Sequence, residues 1–422
     1  MKSSLSLLAL LVFSGSAFSA ADWPQWRGPN RDAVVQDPGH ALASLPTDPK
    51  VLWKIATTDG HASPVVAANR LVYLDGQEGQ ETAHCVDAAS GRELWKTAVG
   101  SLVEFSNYGS GPRCTPIVEE DRVYLQSSGG EFRCVALADG KTLWQMSFAN
   151  DYGVTFLGNR SNDPAAKETA SRRHGHSGSG VIDGERIFLP VGSVQGATLV
   201  AFDKRTGKEL WRAGEDNTAY SSLVVGTLAG VRQVVHLTAD ALMGVDVASG
   251  KILWREPVKT GAKRHACTPL LSGDTVTIAS NSVGTIRFRV VKSGADLKLE
   301  KMWENLACKT NISTATLVGN ALYTVGSTVG KSSPLVCLDF ATGQELWSQP
   351  GLEDYASITA VNDRLLVHKS NGELLLLKVN PAKYEELGRT EICGKTWASP
   401  AYVDGRIYIK DAGNVFAVEI AP

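Results

Sequence analysis

Apolar residues in this chain fall in short alternating runs rather than in helical stripes. "SPVVAANRLVYL" (63–74) is an apolar strand, a tight turn and a second apolar strand. The unit recurs as "TPIVEEDRVYL" (115–125), "SGVIDGERIFL" (179–189), "TPLLSGDTVTI" (268–278), "ATLVGNALYTV" (315–325), "ITAVNDRLLVH" (358–368) and "SPAYVDGRIYI" (399–409). "SLVVGTLAGVRQVVHL" (222–237) is an eighth copy with a longer turn. Val, Ile, Leu and Tyr fill the strands. Gly, Asn and Asp fill the turns, where positive φ costs them least.

A second element alternates with these hairpins. "CVDAASGRELW", "VAFDKRTGKELW", "GVDVASGKILW" and "VCLDFATGQELW" end at Trp95, Trp211, Trp254 and Trp347. Each has Asp eight residues before the Trp, Gly four before it, and Ser or Thr just before that Gly. "VALADGKTLW", ending at Trp144, keeps the Gly and the Trp. With Trp53 and Trp303 the spacings are 42, 49, 67, 43, 49 and 44. Periods in the forties match a four-stranded propeller blade. The fold predicted is all-β, an eight-bladed β-propeller of four-stranded blades. The last unit, ending in "NVFAVEI" (414–420), lacks a fourth strand, and "KVLWKI" (50–55) is a spare strand at the other end. The N-terminal strand is therefore expected to complete the last blade and close the ring. Trp53, Trp95, Trp144, Trp211, Trp254, Trp303 and Trp347 are expected to dock each blade on the next.

The Asp-x-x-(Ser/Thr)-Gly-x-x-x-Trp repeat resembles that of the pyrroloquinoline-quinone-type (PQQ-like) propellers, over residues 51 to 420. That family includes quinoprotein alcohol dehydrogenases and the propeller lipoprotein of the bacterial outer-membrane assembly machine. "DWPQWRGPNRD" (22–32) resembles the lead-in of secreted members. "KSGADLKLEKMW" (292–303) and "NPAKYEELGRTEI" (380–392) depart from the motif and predict blades with irregular outer strands. The repeat speaks for fold more than for activity.

Charge and targeting narrow the function. The 422 residues carry 42 basic and 44 acidic side chains, net −2, which argues against a nucleic-acid binder. One Lys, an apolar run from Leu5 to Phe13 and small residues read as a signal peptide, residues 1–21, cleaved near residues 19–21. The run is too short to span a bilayer, and no Cys near the cleavage site would take a lipid. The mature protein is expected to be periplasmic or secreted, without a transmembrane segment or lipid anchor, and monomeric. Residues 22–49 form an irregular lead-in with five prolines, expected to lie over the propeller surface, and 50–422 form the propeller. Of seven cysteines, most are expected to be buried thiols in equivalent repeat positions. Cys308 and Cys393, in connections, are the expected exceptions.

Candidate chemistry gathers at one channel mouth. The residue just before each inner strand is His61, Arg113, Ser177 (beside His176), Tyr220, Ala266 (beside His265), Asn311, Tyr355 and Trp397. An aromatic and cationic rim suits a planar, anionic or polar ligand, or a peptide. The insertion 150–180 adds Arg160, Lys167, Arg172, Arg173, His174 and His176. No metal site is expected, because His61, His176 and His265 come from blades a quarter turn apart. Asp75, Glu78 and Glu81 are expected on one exposed, solvated hairpin tip.

No catalytic residue is assigned. The role expected is a non-catalytic binding or scaffold protein of the cell envelope, with a protein or peptide partner and no cofactor. The alternative implied by the resemblance is a small PQQ-dependent alcohol or sugar dehydrogenase, with PQQ and calcium and with Arg113 against cofactor carboxylates. Dehydrogenases of the family usually carry an adjacent Cys-Cys pair, which this chain lacks. A third reading takes Tyr220, Tyr355 and Trp397 as sugar-stacking platforms.

Overall fold

The motif turn explains why strands of this composition stop and reverse where they do. The Asp87 carboxylate accepts the Ser90 backbone N–H at 2.9 Å and the Ser90 hydroxyl at 2.6 Å. Asp203 with Thr206, Asp246 with Ser249 and Asp339 with Thr342 repeat the pair. The following Gly takes the left-handed conformation, at φ 72° for Gly91 and 75° for Gly343, which costs a residue without Cβ little.

These units build eight sheets in a computed structural model that describes residues 22–421, apart from 104, 106–108, 155–173, 259–262, 327–332 and 354. The predicted signal peptide, and Arg160, Lys167, Arg172 and Arg173 of the insertion, lie outside the described residues. Blades 1 to 7 each run from an inner strand A to an outer strand D in chain order. Blade 8 combines Ala401–Val403, Arg406–Lys410 and Asn414–Glu419 with the N-terminal strand Lys50–Ala56, antiparallel to Asn414–Glu419. Ring closure is thus as expected. A short helix, Phe148–Tyr152, capped by Ser147, leads into the insertion.

Each outer strand carries a β-bulge just before its tryptophan position. Trp95 stands opposite Cys85, Glu93 opposite Val86, and Leu94 is left over. The bulge turns the indole inward. Small residues lie opposite: Cys85, Cys134, Ala201, Gly244, Cys337 and Ala417 face Trp95, Trp144, Trp211, Trp254, Trp347 and Trp53. That placement accounts for the repeated cysteines. All seven thiols are free, and six are buried, Cys308 included; Cys393 is half-buried, its sulfur 3.5 Å from His368 Nε2.

Six of the seven tryptophans reach the next blade. Trp53, Trp95, Trp144, Trp211, Trp303 and Trp347 donate Nε1–H to Ala88, Leu137, Lys204, Val247, Phe340 and Asn380 carbonyls. Five of these rings lie on the next blade's motif glycine. Trp254 differs: it donates to Gln233 of its own blade at 2.7 Å and lies over Gly244. The reason is blade 5, whose outer hairpin Gly284–Ser293 and Asp296–Asn305 lacks the motif turn. Blade 7 has no tryptophan because strands C and D of blade 8 come from opposite chain ends, so no turn exists to receive one. Lead-in Leu45 covers Gly388 there instead.

Candidate functional site

Strand A of every blade starts at one mouth of the channel, here the upper, and ends in the A–B turn at the lower. The fold joins some of the predicted rim residues and buries others. His61 packs on Trp397, centroids 5.2 Å apart, across the closure of the ring. The Arg113 guanidinium lies 4.3 Å above the Phe105 ring. His174 bridges Phe105 and Tyr220, at 6.4 and 5.7 Å. Burial lowers the Arg113 pKa to about 10, so it stays cationic at neutral pH.

Other rim candidates sit beneath the surface. His176 is 2% exposed and meets Phe148 edge-on. His265 is fully buried, with its pKa lowered to about 4 by burial, so it is neutral. Tyr355 is 4% exposed and hydrogen-bonds Ser399, which removes it as a sugar-stacking platform. Asn311 stands apart beside Asn281. Strand starts place a residue at the mouth; the packing of the loop above decides whether it faces solvent.

The expected exposed tip of Asp75, Glu78 and Glu81 is corrected: only Glu78 is exposed. Asp75 accepts from His84 and Thr57 at 3.1 and 2.7 Å. Glu81 accepts the Ser128 N–H at 2.8 Å, and burial lifts its pKa to about 7. Both are turned inward because the hairpin leans on blades 8 and 2.

The larger correction concerns the lead-in: its first half crosses the channel from the lower end, and only the stretch around Leu42–Thr47 lies over the blades, against Arg364 and Thr390. Trp23 exchanges backbone hydrogen bonds with Val66 of blade 1, and Pro24 O accepts from Val118 of blade 2. Trp26 Nε1 donates to Thr268 of blade 5 at 3.0 Å. Arg27 donates to the Thr314 and Ala315 carbonyls of blade 6 at 3.2 and 2.7 Å. Arg31 reaches Gln25 Oε1 at 3.0 Å and Ser179 O of blade 3 at 3.4 Å. Val34–Val35 then adds a parallel strand to the inner edge of blade 7, opposite Ala360 and Val361. Asp37 accepts from Tyr402 of blade 8 before the chain passes outward. Arg27, Arg31 and Ala33 all take left-handed backbone conformations, φ 61°, 59° and 58°.

The plug leaves a cavity of roughly 500 Å³ beside it, toward blades 3 to 6. Gln25, Arg27, Asn30, Arg31 and Asp32 form one wall, and Val181, Val224, Leu228 and Leu270 part of the other. No sequence repeat pointed to this site. The only signal was a pair of arginines in a proline-bearing stretch.

Whether a calcium-bound quinone fits can be tested on these residues. Calcium takes six to eight oxygen ligands. At the upper mouth Asp59 is exposed beside His61, while Glu81 and Glu131 sit on the third strand from the axis, and among the described residues no three ligand-capable side chains come together there. The axis itself carries two guanidinium groups against one carboxylate, Asp32, a balance that repels a cation. The residues do not fit that group. Among the described residues, Asp37, His40 and Asp404 bring ligand-capable atoms within 4.8 Å of one another at the lower face. Asp37 is already engaged by His40, Gly39 and Tyr402.

The fold is shared widely. BamB from Moraxella catarrhalis aligns at TM-score 0.57 and 14% identity, over 88% of this chain and 97% of that one. Quinohemoprotein alcohol dehydrogenase from Comamonas testosteroni aligns at 0.52 and 13%, over 95% and 80%. The computationally designed protein Ika8 aligns at 0.55 and 12%, over 90% and 100%. Such identities show the fold alone. No curated protein matches significantly. The family model described as outer membrane protein assembly factor BamB matches residues 39–178 and 177–349, and the chain belongs to this family of PQQ-like repeat propellers.

Proposed function

We propose that this propeller is a non-catalytic binding or scaffold protein of the cell envelope. It works as a single ring in the envelope. The observation that supports this best is the Arg27–Arg31 segment seated across the axis. A channel crossed by its own chain leaves the faces of the ring as the working surfaces. The upper face, with His61–Trp397, Phe105–Arg113 and His174–Tyr220, offers rigid aromatic anchors beside a cation. Such groups favour a protein or peptide segment. The family description, an outer-membrane assembly factor, agrees with an envelope partner. The dehydrogenase alternative needs calcium and a quinone on an axis that is cationic here.

Photo-crosslinking tests the reading. A benzophenone amino acid at Trp397 or Tyr220 should give a discrete protein adduct in the envelope fraction. The same group at exposed Leu306 should not. No adduct from either rim position, or equal labelling from Leu306, would contradict it.

A further inference from the structure

Two arginines lie in the channel with a single carboxylate, Asp32, beside them. Arg27 uses its donors on carbonyls and a hydroxyl, and feels Asp32 as its nearest carboxylate. Asp32 is committed to the Val34 N–H at 3.0 Å. Arg31 is 6% exposed, its Nε has no hydrogen-bond partner, and the neighbouring charge that acts on it is Arg27, another cation. An uncompensated buried charge is strongly unfavourable. Left-handed backbone at both arginines adds strain that persists only where surroundings impose it.

Both arginines line the roughly 500 Å³ cavity together with Asp32, so two cations stand against one carboxylate at that end. The opposite wall is apolar, with Val181, Val224, Val225, Leu228 and Leu270. The remaining cation, Arg232, is already paired with Asp183. Thr227 and Gly273 at its edge are exposed, so the cavity has a way in from the lower face.

We propose that the lower half of the channel binds a small organic anion, a carboxylate on an apolar body, through Arg31. The carboxylate pairs with the Arg31 guanidinium, whose Nε–H has no partner, and guanidinium–carboxylate pairs are among the strong hydrogen-bonded contacts. The apolar body lies along the inner strands of blades 3 to 5. A ligand here touches the lead-in and the blades together, so its binding stabilises the plugged ring by mass action. This site is at the opposite mouth from the proposed partner surface and stands or falls separately from it.

The test is calorimetric titration of the mature protein with sodium octanoate, with octanamide as the neutral match and inorganic phosphate as the bare anion. Saturable one-to-one binding of octanoate is expected, at least tenfold tighter than either control. Arg31→Gln should weaken it at least tenfold. Should that variant fail to fold, Val225→Trp decides: it fills the apolar wall, keeps both arginines, and should abolish binding. No saturable binding of octanoate, equal binding of octanamide or phosphate, or unchanged binding in a folded Val225→Trp would overturn the proposal.

Discussion

The ring of Trp95 lies against Gly140 of the following blade, where a Cβ would come within 2.7 Å of it. Its Nε1 donates to Leu137 O, three residues earlier in the same turn, at 2.9 Å. One glycine thus meets two demands: it takes φ 72° and it leaves room for the neighbour's indole. Trp95→Ala should cost about 3–5 kcal/mol, as large aromatic truncations do. Urea denaturation measures this, and a change under about 1 kcal/mol would deny the tryptophan a docking role.

Trp254 should respond differently. Its ring lies over Gly244 so closely that a Cβ there would come within 2.2 Å. Gly244→Ala should therefore destabilise by about 1–3 kcal/mol through overpacking. Ala201→Gly, at the matching position of blade 3 opposite Trp211, introduces no clash. Thermal melts of the two variants separate the local arrangement of blade 4 from a general effect of the repeat.

His84 lies between Asp75 and Glu93, at 3.1 and 2.9 Å, stacked on Tyr73 at 4.8 Å. Burial opposes its charge, but the two carboxylates outweigh it and raise its pKa above 6.5. The fold therefore binds more protons than the unfolded chain between 6.5 and the raised value. The stability from this group is complete below about pH 6.5 and is lost as pH rises through the raised pKa. His84→Gln should be less stable than the parent at pH 6, with the gap narrowing as pH rises. Urea midpoints from pH 6 to 9 check this.

Glu81 gives a second pH signature. Burial holds its pKa at about 7, against 4.5 in the open chain. The folded chain keeps this proton where the unfolded chain releases it. Stability therefore falls as pH rises from 4.5 through 7, by at most on the order of 3 kcal/mol. Glu81→Gln should flatten that decline and be more stable than the parent at pH 8.

Most of the ring was legible in the sequence because a blade is a local unit. Hairpin, turn and tryptophan recur at fixed offsets, and the spare strand around Trp53 has only one place to go. The path of residues 22–49 was not legible. Its contacts are long-range, run largely through backbone edges and buried guanidinium groups, and leave no periodic trace. The upper mouth was half legible: alignment found His61, Arg113, Tyr220 and Trp397 near it. Burial of His176, His265 and Tyr355 depends on loops that no repeat encodes. Asp75 and Glu81 looked like hairpin polar residues because their partners, Thr57, His84 and Ser128, are distant or on another strand.

The measurement that bears most directly on a non-catalytic role is calorimetric titration of the mature protein with pyrroloquinoline quinone, with and without calcium. No saturable heat and no shift in melting temperature are expected, because the axis carries Arg27 and Arg31 against the single carboxylate of Asp32. One-to-one binding that calcium strengthens and Arg113→Ala weakens would contradict the scaffold reading and put a quinone-dependent dehydrogenase in its place.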